Sequence, residues 1–332
     1  RKQELIDLDP DIIIGWNLID FDFKYLKEFF AKHKIKTDFG RTNDNLRLNL
    51  QDNFFRNSSA VIPGRLVLDG LNFIKDPFIK EAPSIKNKKF ISYSLENVSQ
   101  AILETGKLFK GDNRGFKIEE AYVKNQQKLA DYNLLDCELV YKILEKTDMI
   151  NLAIERSQLT GLPLDKIGGS IAAFDSLYIR EAHKRGLVSP TTRFTEKEKR
   201  ITGGFVMSPI PGIYHNVLVL DFKSLYPSII RTFNIDPSSF IEKKQKNCII
   251  APNNAYFKNQ EGILPMIIET LHQAREKAKK EKRELSSYAI KVIMNSFFGV
   301  LASPNCRYFN LDIANAITNF GQELLKITKE TI

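Results

Sequence analysis

Acidic residues that follow predicted strands are the first candidates for chemistry. Asp221 comes directly after the apolar run 217–220, which predicts a buried strand. A carboxylate held at the end of such a strand suits Mg²⁺, which takes one or two protein carboxylates together with substrate phosphates. A solvated Asp that opens a turn is the alternative for any single Asp. The next residues favour the metal, since Pro227 suits the first turn of a helix and Tyr226 would lie beside the carboxylate, where its ring can test the shape of a sugar.

A second pair of acidic residues lies in the first half of the chain. Asp22 ends the segment 17–22, and Asp136 follows Tyr132 by four residues on a predicted helix, so the phenol and the carboxylate share a face. Such a pair can place a metal ion and orient an attacking water. Taken alone, Tyr132 is explained better as a core tyrosine with a satisfied hydroxyl group.

A predicted helical hairpin carries cationic residues. Apolar periodicity predicts helices over 264–283 and 286–301 with a polar turn between them. The apolar stripe of the first helix continues as basic residues, namely Arg275, Lys279 and Lys282. One face of the second helix carries Lys291, Asn295 and Phe298. For one helix alone, a solvated end and a snorkelling lysine explain these residues better. Two adjacent cationic helices favour binding of a triphosphate, with an aromatic ring over the base.

The elements that position these groups include both predicted strands and predicted helices. Apolar runs predict strands at 11–16, 65–69 and 217–220, and the Asn-, Asp- and Ser-rich residues 40–60 predict a loop. Further helices are predicted over 21–35, 126–146 and 170–185, and the segment 189–212 predicts a linker. The helix 21–35 is expected to place five apolar residues on one side: Phe21, Tyr25, Leu26, Phe29 and Phe30. The fold is therefore a mixture of α and β in at least two domains.

Composition excludes several classes of protein. The chain has 332 residues, enough for about two domains, and its 49 Lys and Arg against 40 Asp and Glu give a net charge of +9, which fits a polyanionic partner. No apolar run approaches the ~20 residues of a membrane span. Three dispersed cysteines argue for a reducing compartment and against structural zinc. The first residues are no signal peptide and include no Met, so the chain is expected to be part of a longer protein.

Four long motifs make the chain recognisable. The sequence D-F-K-S-L-Y-P-S-I-I (221–230) resembles motif A of the family B DNA polymerases, and K-V-I-M-N-S-F-F-G (291–299) resembles motif B. The segments 11–22 and 132–136 are similar to the second and third exonuclease motifs of the same family. The four occur in family order through nearly the whole chain. Two further segments, 161–169 and 229–237, resemble the bacterial polymerase II branch of the family.

The resemblance implies a polymerase site built around Asp221, which would bind the catalytic Mg²⁺, with Mn²⁺ as the other possible metal. Phe222 would contribute its backbone carbonyl to the metal, and Tyr226 would stack under the deoxyribose and exclude a 2′-hydroxyl. Four residues would hold the incoming nucleotide, namely Arg275, Lys279, Lys291 and Asn295. Phe298 stands where motif B usually has Tyr, beside the nascent base pair.

The resemblance also implies an editing site and contacts with DNA. Asp22 and Asp136 would bind the exonuclease metals, and Tyr132 would orient the hydrolytic water. Gly203 and Gly204 resemble the family's Y-x-G-G segment, which contacts the template strand, although Ile201 replaces its tyrosine. The implied partners are primer–template DNA, dNTP and, through termini outside this chain, a sliding clamp.

The implied fold combines α/β and α+β domains: a ribonuclease H-like exonuclease domain, a palm with a central sheet, and fingers made of a helical hairpin. The expected bounds are 1–148 for the exonuclease domain, 149–215 for a helical connection and linker, 216–262 for the palm, 263–303 for the fingers and 304–332 for the return to the palm. The first exonuclease motif and the D-T-D motif before a thumb are not found. The chain is thus expected to be a central segment that is inactive alone, from a replicative or repair polymerase of the bacterial cytosol or nucleoid.

Two other functions explain part of the sequence. A stand-alone ribonuclease H-like 3′–5′ exonuclease would account for Asp22 and Asp136 but not for Asp221 or the basic hairpin. A non-catalytic DNA-binding protein would account for the charge but not for the ordered carboxylates. Only the enzymes require a metal ion near the three aspartates.

Overall fold

The computed structural model describes residues 2–51, 58–106, 114–192 and 201–332. The chain divides into two compact units, one formed by 1–154 with 163–168 and the other by 155–162 with 169–332. In the four described ranges, no helix is both long enough and apolar enough to cross a membrane.

The first unit combines short strands with helices. Its strands are β1 (Ile12–Gly15), β2 (Arg47–Asn49), β3 (Ser59–Val61) and β4 (Leu66–Asp69). Its helices are α1 (Lys2–Leu8), α2 (Lys24–Lys32), α3 (Gly70–Lys75), α4 (Pro77–Lys80), α5 (Leu95–Leu103), α6 (Arg114–Lys124) and α7 (Gln126–Thr147), and α8 (Met149–Thr160) belongs to both units. The parallel pair β1–β4 aligns Ile12 with Leu66, and β2 and β3 form an antiparallel pair.

The predicted strands at 11–16 and 65–69 are confirmed as β1 and β4, and the helix predicted over 126–146 is α7. The loop predicted over 40–60 is wrong in part, because β2 and the first two residues of β3 lie within it; residues 52–57 of that segment lie outside the described residues. Polar composition marks exposed chain, and a two-stranded pair with exposed edges has the same composition.

The predicted apolar side of helix 21–35 is also wrong in part. Leu26 and Phe30 pack against the buried cluster around Ile19, Phe23 and Phe39, whereas three other predicted members of the stripe are exposed: Phe21, Tyr25 and Phe29. The inward face is narrower than the predicted stripe: Phe23, Leu26 and Phe30 recur at the α-helical spacing, whereas Tyr25 and Phe29 lie about 100° away from Leu26 and Phe30 around the helix and are exposed.

The second unit is mostly helical. Its helices after α8 are α9 (Ser170–Lys184), α10 (Leu225–Thr232), α11 (Ile263–Lys280), α12 (Glu284–Leu301) and α13 (Leu311–Thr331). Three two-residue strands form a small antiparallel sheet in the order β5–β7–β6: β5 (Phe240–Ile241), β6 (Ile249–Ile250) and β7 (Tyr256–Phe257). The predicted hairpin is confirmed as α11 and α12, whose apolar faces are buried at Leu264, Ile268, Met294 and Phe297.

The buried strand predicted at 217–220 is wrong. These four residues form no strand with any described segment, and their side chains are 60–84% exposed. The apolar run has the composition of a core strand, but a strand is stable only when a neighbouring strand accepts and donates its backbone hydrogen bonds.

A buried carboxylate begins the hairpin. Asp236 is fully buried, and its Oδ1 accepts a hydrogen bond of 2.8 Å from the backbone N–H of Leu264 in the first turn of α11. The Tyr178 hydroxyl of α9 donates to the same carboxylate at 3.0 Å, and the backbone N–H of Ser238 donates at 2.7 Å. Burial and the charge of Asp236 raise the pKa of Tyr178, so the phenol remains a donor.

The neighbouring Asn234 secures the same turn. Its Oδ1 accepts from the N–H of Gly262 at 2.8 Å, and its Nδ2 donates to the carbonyl oxygens of Lys258 and Gln260. A Cβ atom on Gly262 would lie 2.6 Å from the Cβ of Asp236, so glycine is required there.

Replacing Asp236 with Ala should destabilise the second unit. The N–H of Leu264 and the Tyr178 hydroxyl would stay buried without an acceptor, which lowers the free energy of unfolding by about 3 kcal/mol. Urea denaturation measures this change, and the exposed Glu242→Ala in the same unit is the matched control, expected within about 0.5 kcal/mol of the parent. Equal stability of both variants would show that the carboxylate does not organise the turn.

Candidate active sites

Asp22 lies in the π-helical turn Leu18–Phe23, directly after β1. The turn begins at Asn17, whose backbone is left-handed (φ 60°), and it is held by Asp69 at the end of β4. The Asp69 carboxylate accepts from the N–H groups of Asn17 at 3.0 Å, Ile19 at 3.2 Å and Leu71 at 3.0 Å. Asp69 therefore caps α3 and fixes the segment that carries Asp22.

The charge of Asp69 acts on Asp22. Burial raises the pKa of Asp69, although its backbone hydrogen bonds oppose that rise. Partial burial also raises the pKa of Asp22, and the negative charge of Asp69 adds to this effect. Asp69 is a functional candidate that the sequence reading missed, even though it follows an apolar strand in the same way that Asp221 follows an apolar run.

Asp136 and Tyr132 lie on α7, which packs against β1. Tyr132 is buried in a small cluster with Ala121 of α6, as expected of a core tyrosine. Partial burial raises the pKa of the Cys137 thiol, and the charges of Asp136 and Asp22 raise it further. Both carboxylates therefore lie within electrostatic range of Cys137, and the fold brings together the two acidic motifs of this unit.

In the second unit, Asp221 and Phe222 are exposed on a segment without regular structure, four and three residues before α10. Tyr226 lies in the first turn of α10, and its ring is 4.6 Å from the ring of Phe298 on α12, centroid to centroid. The predicted residues of motif A and motif B are thus in contact through their aromatic side chains.

A cavity of about 480 Å³ lies beside these two rings. Its lining includes Gly203, Gly204, Tyr226, Phe298 and Thr318. A Cβ atom on Gly203 would meet no atom within 4 Å, and one on Gly204 would approach only the Tyr226 hydroxyl, at 3.5 Å. The chain's own packing therefore does not require glycine at either position.

Helix α13 holds the glycine segment in place. The N–H of Thr202 donates to Asn315 Oδ1 at 2.8 Å, and Gln322 Nε2 donates to the carbonyl of Gly203 at 2.6 Å. One turn further along α13, Lys326 lies over the ring of Phe205, 5.6 Å from its centroid. The sequence analysis did not predict a role for this face of α13. Its signal in the sequence is a set of polar residues, at positions 315, 322 and 326 of an amphipathic helix.

The basic residues of the hairpin differ in their surroundings. Arg275 is half-buried, and its Nε has no hydrogen-bond partner among the described residues. Lys279 donates to Glu276 Oε1 at 2.8 Å, and Lys223 lies 3.4 Å from the same oxygen. These two ammonium groups lower the pKa of Glu276 to about 2. Lys291 and Asn295 are exposed on α12, and Lys282 lies beyond the end of α11.

Comparisons with known proteins match residues of each unit to a sequence family. Residues 168–332 match the sequence family described as DNA polymerase family B, and residues 3–98 match the family described as DNA polymerase family B, exonuclease domain. The chain is 38% identical to DNA polymerase II of Escherichia coli K12, over 98% of this chain and 41% of that protein. It is 29% identical to the DNA polymerase delta catalytic subunit of Dictyostelium discoideum, over 100% of this chain and 32% of that protein.

A solved structure has the same fold. The family B DNA polymerase from the hyperthermophilic archaeon Pyrobaculum calidifontis matches 99% of this chain and 44% of its own length, with a TM-score of 0.74 and 24% identity. The chain therefore spans less than half the length of these relatives.

Removing the side chains of Asn315 and Gln322 should loosen the glycine segment. Each hydrogen bond contributes about 1 kcal/mol, so the Thr202 amide in Asn315→Ala should exchange with solvent about fivefold faster. Hydrogen exchange followed by mass spectrometry of peptides covering 201–206 measures this rate. Glu323→Ala on an exposed position of α13 serves as the control, and equal exchange in all variants would contradict the docking.

Proposed function

Because the chain belongs to the family B DNA polymerases, we propose that it is the central part of an enzyme that extends a DNA primer on a template and removes nucleotides from its 3′ end. The first unit supplies the exonuclease, and the second supplies palm and fingers. The proposed bounds are 1–148 for the exonuclease, 149–215 for the connection, 216–262 and 304–332 for the palm, and 263–303 for the fingers.

One observation carries the proposal for synthesis. Three segments far apart in the sequence contribute to one cavity of about 480 Å³: the glycine pair, motif A through Tyr226 and motif B through Phe298. This volume lies in the range of small-molecule sites, roughly 300–1,000 Å³. The protein's own packing does not require glycine at positions 203 and 204. Because these residues have no side chains, a DNA strand can approach their backbone closely. These features support the binding of a nucleotide and a template base beside the rings of Tyr226 and Phe298.

The residues around the nucleotide would act mainly by positioning it and by neutralising its charge. Arg275, Lys279 and Lys291 bind the triphosphate, and Asn295, one turn after Lys291 on α12, contacts the incoming nucleotide. Lys279 pairs with Glu276, and on nucleotide binding a phosphate oxygen replaces this carboxylate as the acceptor. Tyr226 contacts the deoxyribose, while Phe298 packs against the Tyr226 ring and lies beside the base.

Family B DNA polymerases use divalent metal ions, and we propose Mg²⁺, with Mn²⁺ as a substitute. The donors are the carboxylates of Asp221, Asp22 and Asp136 with the carbonyl of Phe222, all of them hard oxygen ligands of the kind that Mg²⁺ takes. Among the described residues, no three His, Cys, Asp or Glu side chains form a metal cluster. When bound, the ions would stabilise the attacking and leaving oxygens of a phosphoryl transfer.

In the first unit, the residues have separate tasks in the proposed hydrolysis. Asp69 fixes the turn that presents Asp22, and α7 presents Asp136. Tyr132 lies one turn before Asp136, where its hydroxyl orients the attacking water. A stand-alone exonuclease would leave the family match over 168–332 unexplained, and a non-catalytic DNA-binding protein would explain neither match.

Primer extension with Mg²⁺ tests the proposal. In the complete polymerase that carries this chain, Asp221→Asn should lower the rate of extension by about 10³-fold while 3′ degradation continues, because only the palm loses a metal ligand. The exposed Asp312→Asn is the control. Full extension by Asp221→Asn would overturn the assignment.

Tyr226→Ala should weaken discrimination against ribonucleotides. Removing the ring opens space for a 2′-hydroxyl, and a steric difference of this size changes selectivity about 10- to 200-fold. The ratio of kcat/KM for dNTP and rNTP measures this change. Tyr226→Phe keeps the ring and should keep the ratio. If Tyr226→Ala also keeps it, the residue that excludes ribose lies elsewhere.

Asp136→Ala should abolish primer degradation and leave extension nearly intact, because Asp136 belongs to the first unit alone. Degradation of a labelled single strand and extension of a matched primer are measured in parallel. Asp131→Ala, at an exposed position on the same helix, is the matched control. A parallel loss of extension would mean that the two activities are not divided between the units in this way.

A further inference from the structure

A carboxylate on the hairpin bridges two lysines that come from different segments of the chain. Glu276 lies on α11, and its Oε1 accepts a hydrogen bond of 2.8 Å from Lys279 Nζ, three residues further along the same helix. Lys223 Nζ, from the segment before α10, lies 3.4 Å from the same oxygen. One carboxylate oxygen therefore joins motif A to the hairpin. The side chains of Lys223, Glu276 and Lys279 are together called the Glu276 bridge.

The backbone around Lys223 is held by the start of α10. Ser224, the next residue, has a left-handed backbone (φ 55°) and precedes the first turn of that helix. The Ser228 hydroxyl, inside α10, donates to the carbonyl oxygen of Lys223 at 3.3 Å. Helix α10 also packs against α11. The fold thus fixes the position from which the ammonium group of Lys223 reaches a helix that is distant in the sequence.

The bridge carries more positive than negative charge. The hydrogen bond from Lys279 and the nearby charge of Lys223 lower the pKa of Glu276 to about 2, so this carboxylate is ionised at neutral pH. Arg275, its neighbour on α11, has an Nε without a hydrogen-bond partner among the described residues. Three cationic side chains are therefore present for one anionic group. A ligand with more negative charge than a single carboxylate would balance them better.

An ion pair between the same two helices shows what packing alone requires. Arg231 of α10 and Glu269 of α11 lie 2.6 Å apart, and Glu269 lies two turns before Glu276. This pair joins one cation to one anion and lies outside the residues assigned to the nucleotide. It connects α10 to α11 without a surplus charge. A second lysine at Glu276 is not needed for that purpose.

The place of Lys223 in motif A identifies the ligand. Lys223 lies between Asp221, the proposed metal ligand, and Tyr226, the proposed contact of the deoxyribose. In a nucleoside triphosphate, the phosphates are attached to the sugar and bind the metal ion, so they must pass close to both residues. We propose that Lys223 is a further ligand of the triphosphate, and that Glu276 stands in for a phosphate group between Lys223 and Lys279 while no nucleotide is bound. This inference rests on the proposed polymerase function.

The bridge makes Glu276 a competitor of the nucleotide. A triphosphate carries several negative charges and can replace the carboxylate on both lysines at once. Both lysines and Glu276 are partly exposed to solvent, so each ion pair is weak enough to be exchanged. After the exchange, the carboxylate remains close to the phosphates and repels them. Glu276 therefore weakens nucleotide binding, and Lys223 strengthens it.

Binding of inorganic tripolyphosphate to the complete polymerase tests the bridge without catalysis. Glu276→Gln should lower Kd about three- to tenfold, because the amide neither competes for the two ammonium groups nor repels phosphate. Lys223→Gln should raise Kd about threefold or more, because one charge-assisted contact is lost. Isothermal titration calorimetry in EDTA measures both values. In primer extension, Glu276→Gln should lower KM for dNTP by a similar factor and leave kcat within about twofold.

Glu269→Gln is the matched control, because it removes the same negative charge from α11 and breaks the pair with Arg231. Its Kd should stay within about twofold of the parent value. In the Lys223→Gln background, Glu276→Gln should lower Kd by about twofold at most, because one of the two ion pairs is already absent. The proposal is overturned by an unchanged or raised Kd in Glu276→Gln, by an equal shift in Glu269→Gln, or by an unchanged Kd in Lys223→Gln.

The proposed polymerase function and the bridge can fail separately. If the complete polymerase extends no primer but its Kd values for tripolyphosphate follow these expectations, the proposed function is wrong and the phosphate site stands. If it extends primers and the Kd values do not follow them, the Glu276 bridge is an ordinary surface ion pair.

Discussion

The second unit depends on one buried carboxylate. Asp236 would lose far more by leaving water than it could regain from a single partner, so its stability inside the protein requires several donors at once. Those donors come from α9, from the turn after Asp236 and from the first turn of α11. One side chain thereby fixes where the hairpin begins. Helix α10, which carries Tyr226, ends four residues before Asp236.

The first unit uses a carboxylate in a similar way. Asp69 ends β4, and three backbone N–H groups of the turn and of α3 point at it. Comparison with Asp221 shows what a strand partner contributes. Both residues follow an apolar run, but β4 is paired with β1, and the run before Asp221 has no partner among the described segments. Asp69 is consequently buried and fixed, and Asp221 is exposed.

Prediction from sequence succeeded where the signal is local. The periodicity of α7 and of the α11–α12 hairpin located these helices to within a few residues, because the inward face of a helix repeats every 3.6 residues regardless of what covers it. It failed where the answer depends on another part of the chain. The inward face of α2 is narrower than the predicted stripe, so Phe21, Tyr25 and Phe29 are exposed, and β2 pairs with β3 inside a segment whose composition predicts a loop.

The sequence by itself determined which chemical groups are present and to which family they belong, because motif residues and their spacing are properties of the linear chain. Only the tertiary structure decided which of these groups meet. Gly203, Tyr226 and Phe298 line one cavity, and Asn315 and Gln322 hold a segment more than 100 positions earlier in the chain. Such contacts arise from packing and hydrogen bonding between distant segments, and no local pattern of residue types specifies them.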